Sequence, residues 1–185
     1  MAFVGLRKPY VAKYDRTTKT YSNGFKYSHA VSFNITPNYA EGSLYGDDVQ
    51  VEYEKEFINA GLSLGTTSTP IQAASTMFGH TVEGNKVIYK STDEANYVGV
   101  GCIAPEKVDG VKKYVALIVL CAKFSDSAES FTTKADQLQF NTPTIEGSAI
   151  AADDDGKWKI TNVFDTEAAA EEFVANYLNI EIPSM

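Results

Sequence analysis

Apolar residues in this chain recur mainly at every second position, and the clearest example lies in residues 49–57. The apolar set there is Val49, Val51, Tyr53 and Phe57, and the polar set is Gln50, Glu52, Glu54 and Glu56. Successive side chains of a strand point to opposite faces, so the segment predicts a strand with one apolar and one anionic face. Like charges at this spacing repel, so the anionic face belongs in solvent or against another molecule.

Eight further segments have strand composition and are bounded by turn residues. They are residues 9–14, 30–35, 86–89, 97–103, 114–124, 138–140, 145–151 and 158–164. Three Asn/Asp–Gly turns fit tight connections between strands, at residues 22–24, 109–110 and 153–156. This density of strands predicts a mainly β protein, an antiparallel sandwich or barrel, in a single domain of residues 1–185.

Two segments break the strand pattern and predict helices. In the first, Thr69 is the expected cap, Pro70 the first helical residue and Gly79 the end. Its apolar side would be Ile71, Ala74, Met77 and Phe78. The second helix spans residues 167–178, with Asp165 or Thr166 as its cap. Its apolar stripe is Ala170, Phe173, Val174, Tyr177 and Leu178. Each helix is expected to cover a sheet face.

Two strand segments indicate close packing on both faces. Residues 114–122 contain no charged residue, so both faces of that strand need cover, either from the C-terminal helix or from a neighbouring subunit. Gly99 and Gly101 remove side chains from one face of another strand, which allows a large side chain or a second backbone to approach.

Composition limits the function classes. The formal net charge is −8 and the isoelectric point is near 4.8, which argues against a protein that grips nucleic acid. Cys102 and Cys121 lie in apolar strand-like sequence and are expected to be reduced and buried. The chain shows no signal-peptide pattern, and its longest apolar run, residues 115–122, is too short to cross a bilayer. We therefore expect a soluble protein made in a cytoplasm.

Motifs that could support catalysis or metal binding lack their required context. Residues 61–65 match G-x-S-x-G, but no helix follows Ser63 directly, and the downstream His80 comes too early for a triad. Residues 99–104 imitate a dinucleotide fingerprint, but Pro105 and a turn follow where a helix is needed. The acids of residues 153–156 lack the calcium-loop spacing, and the histidines and cysteines lack zinc spacing. We expect no cofactor, no metal site and no enzyme activity.

Several stretches, read in order, carry a family resemblance. They are Ser43-Leu44-Tyr45-Gly46-Asp47-Asp48 with the acidic strand after it, Met77-Phe78-Gly79-His80, the Asn-Thr-Pro-Thr-Ile-Glu-Gly sequence of residues 141–147, and the turn and strand of residues 153–158. Together they resemble the major tail protein family of long-tailed, non-contractile bacteriophages. The resemblance extends from the first strand to the closing helix.

The resemblance implies a β-sandwich or barrel whose copies close into six-membered rings, and rings that stack into a tail tube. It implies identical copies, tape-measure proteins and tail initiator and terminator proteins as partners, with no membrane. The location implied is the virion tail, after synthesis and assembly in the bacterial cytoplasm. An arm at residues 40–57 would reach adjacent subunits. Its contacts within or between rings would be made by Ser43, Leu44, Tyr45, Gly46, Asp47 and Asp48.

Charge supplies the expected mechanism. Carboxylates lining a bore repel DNA phosphates, so the duplex passes through the lumen without specific binding. We expect some of Glu52, Glu54 and Glu56 to face the lumen. The alternative is that they pair with cations of a neighbouring subunit, namely Arg7, Lys8, Lys112 or Lys113.

Two other classes fit parts of the pattern. The inner tube of a contractile injection machine has the same ring architecture and differs in needing a sheath around it. A monomeric β-sandwich that binds carbohydrate would need exposed aromatic residues along one sheet face.

Overall fold

A computed structural model of the chain describes residues 3–108, 110–129, 133, 142–153 and 155–182. Ten strands and two helices lie within these residues. They are β1 (Arg7–Asp15), β2 (Thr20–Lys26), β3 (Ala30–Gly46), β4 (Val49–Thr66), α1 (Ile71–Thr76), β5 (Thr81–Glu83), β6 (Lys86–Ile88), β7 (Val98–Val108), β8 (Val111–Phe124), β9 (Thr144–Ala149), β10 (Lys159–Phe164) and α2 (Glu167–Tyr177).

Eight strands form one antiparallel sheet, which confirms the predicted mainly β class. The order is β2-β1-β7-β8-β9-β4-β3, and β10 pairs with β8 off this path. β8 is the central strand, because it pairs with β7 along one side and with β10 and then β9 along the other. β5 and β6 make a separate small hairpin.

One face of the sheet surrounds the first hydrophobic core. Residues of β1, β2, β4, β7, β8 and β9 all contribute, and α1 adds Ala73 and Met77. Because side chains alternate along a strand, Val11 points into this core, while its neighbours Tyr10 and Ala12 point to the opposite side of the sheet.

The opposite face of the sheet is covered by α2, which forms the second core. Thr166 caps the helix by accepting a hydrogen bond from the Ala169 N–H at 3.3 Å. Ala170, Val174 and Leu178 follow at four-residue intervals and are fully buried against β1, β7 and β8. The C-terminal helix therefore covers the second face of β8. Of the two kinds of cover predicted for residues 114–122, a helix or a neighbouring subunit, the structure shows the helix.

Gly99 and Gly101 provide the close approach predicted for them. A Cβ on Gly101 would lie 2.4 Å from Val174 Cγ1, and a Cβ on Gly99 would lie 2.4 Å from Tyr21 Cε1. Both distances are far shorter than van der Waals contact, so glycine at these positions lets α2 and Tyr21 pack directly on β7. Cys102 is buried in the same strand, and this burial raises the pKa of its thiol to about 12.

The first helix differs from its prediction. Pro70 is the N-cap, with an extended ψ of 144°, and it is not the first helical residue; no side chain, Thr69 included, makes a capping hydrogen bond. Ile71 is 40% exposed, so its expected place on the buried side is wrong. The other predicted members of the buried side, Ala74, Met77 and Phe78, are buried, and Ala73 joins them.

One predicted turn is wrong and one is confirmed. Asn23 and Gly24 lie inside β2, where a Cβ on Gly24 would meet Ile180 Cγ1 at 2.3 Å, so this glycine serves packing. The Gly156 N–H donates to the Asp153 carbonyl at 3.1 Å, as expected for the turn predicted there. The strand predicted at residues 138–140 and Asp109 of the predicted Asp–Gly turn lie outside the described residues.

Candidate self-association surface

The hairpin of β3 and β4 continues past the end of β9, its neighbour in the sheet. β4 pairs with β9 only from Ala60 onward, and Ala60 lies opposite Ala149. Before that point β3 and β4 pair with each other alone, up to the turn at Asp47 and Asp48. Both turn residues have positive φ, 49° and 62°, as in the two-residue turns that match strand twist. We call residues 38–59 the arm.

A bulge at the base of the arm reverses which residues face the core. Asn38 lies opposite Asn59 and Tyr39 opposite Phe57, which leaves Ile58 as an extra residue on β4. Below the bulge the even-numbered residues Leu62 and Leu64 face the first core, whereas above it Phe57 does so.

The acidic residues keep their shared face above this bulge. Glu52, Glu54 and Glu56 alternate with residues of the other face and lie opposite Leu44, Gly42 and Ala40. The predicted separation of the glutamates from Tyr53 and Phe57 therefore holds within residues 52–57. A second bulge, at Val51, places Val49 on the acidic face and Gln50 on the face of Tyr53, so the prediction is wrong for these two residues. Ser43 lies opposite Tyr53 on the other face, and its hydroxyl accepts a hydrogen bond from Gln50 at 3.2 Å.

The arm exposes apolar side chains that a monomer would normally bury. All residues from 38 to 56 are exposed. The large apolar ones are Leu44 (59%), Tyr45 (67%), Val49 (64%), Val51 (67%) and Tyr53 (52%). Leu44 and Val49 lie on the acidic face, and Tyr45 and Tyr53 lie on the other face. Exposed large apolar side chains in this number are typical of an interaction surface.

Most of the arm's carboxylates have no cation beside them. Lys55, its one basic residue, bonds Glu41 at 2.6 Å and lies over the Tyr39 ring at 4.8 Å. Its hydrogen bond holds the pKa of the Glu41 carboxyl below its ordinary value. Within the described part of the chain no cation lies at ion-pair distance from the arm's other carboxylates. Those carboxylates are Asp47, Asp48, Glu52, Glu54 and Glu56.

The acidic face of the arm continues into a polar sheet face that the sequence analysis did not identify. Ser63 of β4 lies between Asn34 of β3 and Glu146 of β9, and Gly61 lies between Thr36 and Ser148. These side chains are small and uncharged except for Glu146. The signal in the sequence was the alternation of polar and apolar residues at positions 32–38.

Three of the four cations considered as partners for the arm's glutamates already have partners in their own chain. The pairs are Arg7 with Glu167 (2.8 Å), Lys8 with Glu171 (2.5 Å), and Lys113 with Asp165. The hydrogen bond that Lys8 donates to Glu171 raises the pKa of Lys8. Lys112 instead lies over the Tyr114 ring, 5.3 Å from its centre.

The residues of the rejected catalytic motif take structural positions. Ser63 sits in the middle of β4 with a strand on each side, not at a strand-to-helix turn. His80 is buried between two carboxylates, with Nδ1 2.7 Å from Asp93 and Nε2 3.0 Å from Asp126. Among the residues that the structure describes, no group of three or more potential metal ligands occurs.

No helix among the described residues combines the length and apolarity needed to cross a bilayer.

Comparisons with known proteins show a structural likeness but no match in sequence. No protein-family model matches the chain, and no curated protein matches it. Among solved structures, the chain resembles a cryo-EM structure described as the anti-feeding prophage cap, a tube-terminating cap, with a TM-score of 0.41 and 12% identity. The likeness covers 88% of this chain and 92% of that chain. At this level of similarity it supports no inference about function.

Proposed function

We propose that this chain is a structural subunit of a phage tail tube, in which six copies form a ring and stacked rings form a conduit for DNA. The observation that carries the proposal is the arm, which projects from the sheet and exposes apolar and anionic side chains together. An isolated chain gains nothing from such an element, whereas an assembly of identical copies buries it. The sequence resemblance to tail tube proteins supports the same conclusion.

The sheet edges also favour assembly of copies. β2 and β3 end the strand order, so in the described part of the chain each has one unpaired side. Long unpaired edges are hazardous for a solitary β protein and are commonly covered by another chain. A head-to-tail contact that closes by rotation gives a ring, and repetition along the axis gives a tube.

The polar sheet face, with Glu56 at the adjoining end of the arm's acidic row, is the proposed wall of the bore. Small polar side chains beside Glu56 and Glu146 offer DNA phosphates little attraction and net repulsion. Lys123 lies opposite Ser148 and is bound to Glu94 at 2.9 Å. A duplex would therefore pass without being held.

The direct test is negative-stain electron microscopy of the purified protein at low and high concentration. Rings or tubes of uniform diameter are expected as concentration rises. Protein that stays monomeric even in the presence of its tail initiator, or that turns over a substrate, would contradict the proposal.

A second experiment separates a lumen position of the glutamates from a junction position. Glu52, Glu54 and Glu56 are changed together to lysine in a phage that carries this protein. Tails that assemble normally but eject DNA poorly would place these side chains in the lumen. Failure of tails to assemble would place them at a subunit junction.

Carbohydrate binding is the second candidate, because the structure places Tyr39 and Tyr53 on one face of the arm. Lys55 lies between them and covers Tyr39. A glycan-array screen of the monomer tests this class, with Tyr53→Ala as the variant expected to lose any signal.

The inner tube of a contractile machine is distinguished from a non-contractile tube by whether a sheath protein co-assembles with the rings.

A further inference from the structure

We propose that the arm of one copy docks on the end of the β7–β8 hairpin of the next copy within the same ring. This inference rests on the proposed function and specifies the contact that closes the ring. The acceptor, which we call the basic tip, consists of Phe3, Val4, Lys107, Val108, Val111 and Lys112.

The basic tip combines exposed apolar residues with two cations that have no carboxylate partner among the described residues. Lys107 lies directly opposite Lys112, and Val108 opposite Val111, at the end of the hairpin. The N-terminal segment runs beside them, since the Val4 N–H donates to the Pro105 carbonyl at 2.7 Å. Its exposed apolar members are Phe3 (57%), Val4 (69%), Val108 (42%) and Val111 (54%).

The pairing of Lys107 with Lys112 is unfavourable in an isolated chain. Two like charges directly opposite each other on neighbouring strands repel. Within the described residues no carboxylate lies at ion-pair distance from either ammonium group. A carboxylate from outside the chain would offset this repulsion, and Glu52 and Glu54, which lie farther out along the arm than Glu56, present two of them.

Other cationic regions fit the arm less well. Arg7, Lys8 and Lys113 are bound to acids of α2 or of the residue just before its cap. A second cationic cluster, around Arg16 and Lys123, contains its own acids Asp15 and Glu94. That cluster also includes none of the exposed large apolar residues, so it cannot cover the apolar side chains of the arm.

The sheet register places the arm and the basic tip at the same end of the molecule. Ala60 of β4, Ala149 of β9 and Ala122 of β8 lie side by side across the sheet. β4 and β8 are each antiparallel to β9, so both run in the same direction, and their early residues extend toward the same end. Rotation about an axis along the strands therefore brings the arm of one copy level with the basic tip of the next.

The test is a charge exchange. Glu52→Lys with Glu54→Lys, and separately Lys107→Glu with Lys112→Glu, are expected to raise the protein concentration needed for ring formation at least about tenfold. Chains carrying all four changes should form rings at close to the wild-type concentration, because the charges again complement each other. Circular dichroism of the monomers confirms folding, and Glu172→Lys with Glu181→Lys, far along the chain from the arm, is the charge-matched control.

The outcomes separate this inference from the proposed function. Wild-type rings with no rescue in the fourfold variant would overturn the docking inference and leave the tube proposal standing. Double variants that form single rings but no tubes would overturn it too, because the contact would then join rings. A wild-type protein that never assembles would count against both.

A cysteine cross-link gives an independent readout. Glu54→Cys chains mixed with Lys112→Cys chains should form a disulfide dimer under mild oxidation, while either variant alone should form much less. The native thiols are buried and contribute little background. A mixture that cross-links no better than a Glu172→Cys control would contradict the docking.

Discussion

At the scale of single residues, His80 shows how one buried group can join three segments of chain. Its imidazole follows α1 and contacts Asp93, before β7, and Asp126, after β8. Burial alone would lower the pKa of His80, but hydrogen bonds to the two carboxylates outweigh it and raise the pKa above 6.5. The same contact lowers the pKa of Asp93. The contact therefore favours the protonated imidazole more than water does in a free histidine.

The raised pKa of His80 predicts a pH dependence of stability. The stabilisation is fully present below about pH 6.5, the ordinary histidine value, and is lost as pH rises through the raised folded-state pKa. Asp93 stays ionised throughout this window because its pKa is lowered. We expect urea denaturation of the wild type to show a fall in stability across this range that His80→Gln lacks. Parallel curves for the two proteins would contradict the assignment.

Gly101→Ala is expected to destabilise the fold by about 1–3 kcal/mol, because the new methyl group would overlap Val174 in a fully packed region. Gly5→Ala is the matched control, since no heavy atom lies within 4 Å of a Cβ built there. Thermal or urea unfolding of both variants measures the difference. Equal stability would mean that α2 is free to shift away from β7.

At the scale of elements, each helix depends on how its first turn is satisfied. α2 has a side-chain cap in Thr166, whereas α1 has Pro70 as its N-cap and no side-chain capping hydrogen bond. α2 also covers the second core, so its stability is coupled to the sheet.

Thr166→Ala is expected to cost about 1 kcal/mol of unfolding free energy, the usual effect of losing a capping hydroxyl. Thr166→Ser keeps the oxygen that accepts from the Ala169 N–H and should stay close to wild type. Urea denaturation of the two variants provides the comparison. A loss of the same size in both would assign the effect to the threonine methyl group.

The arm should be dispensable for folding and required for assembly. Residues 41–55 can be replaced by Asn-Gly, which joins the opposed residues Ala40 and Glu56 by a tight turn. This variant keeps Phe57, whose ring stacks on Trp158 with centres 4.8 Å apart. We expect unfolding free energy within about 1 kcal/mol of wild type, because the removed residues are exposed, but no rings by electron microscopy. Rings from the shortened chain would contradict the role given to the arm.

At the scale of the whole molecule, the net charge and the local charges have different effects. The net charge of −8 opposes contact with DNA, while the local pairing of an acidic arm with a basic tip still permits contact between copies.

The free wild-type chain is expected to show no measurable affinity for duplex DNA at about 0.15 M salt, because few cations are available to displace counterions. Fluorescence anisotropy with labelled DNA measures this. Lysine at positions 52, 54 and 56 provides the comparison, since it creates a cationic row where the glutamates stood. Tight binding by the wild type would contradict a passive conduit.

Local pattern alone was enough for several features. Alternation identified the strand class and the two-faced acidic segment, the helix stripe identified α2, and paired glycines indicated close packing on β7. These features depend on the spacing of neighbouring residues, so they can be read from a short stretch of sequence. The docking role of residues 43–48 and the lumen position of the three glutamates stay predictions.

Only the tertiary structure decided which distant groups meet. The bulge at Ile58, the pairing of His80 with two aspartates, the facing pair Lys107 and Lys112, and the partners of Arg7 and Lys8 all depend on strand register and helix placement. Register is fixed by the packing of whole faces against one another, and a shift of one residue would exchange those faces. The physical reason is that contacts between residues far apart in the chain depend on how all strands and helices pack together. A short segment of sequence does not contain that information.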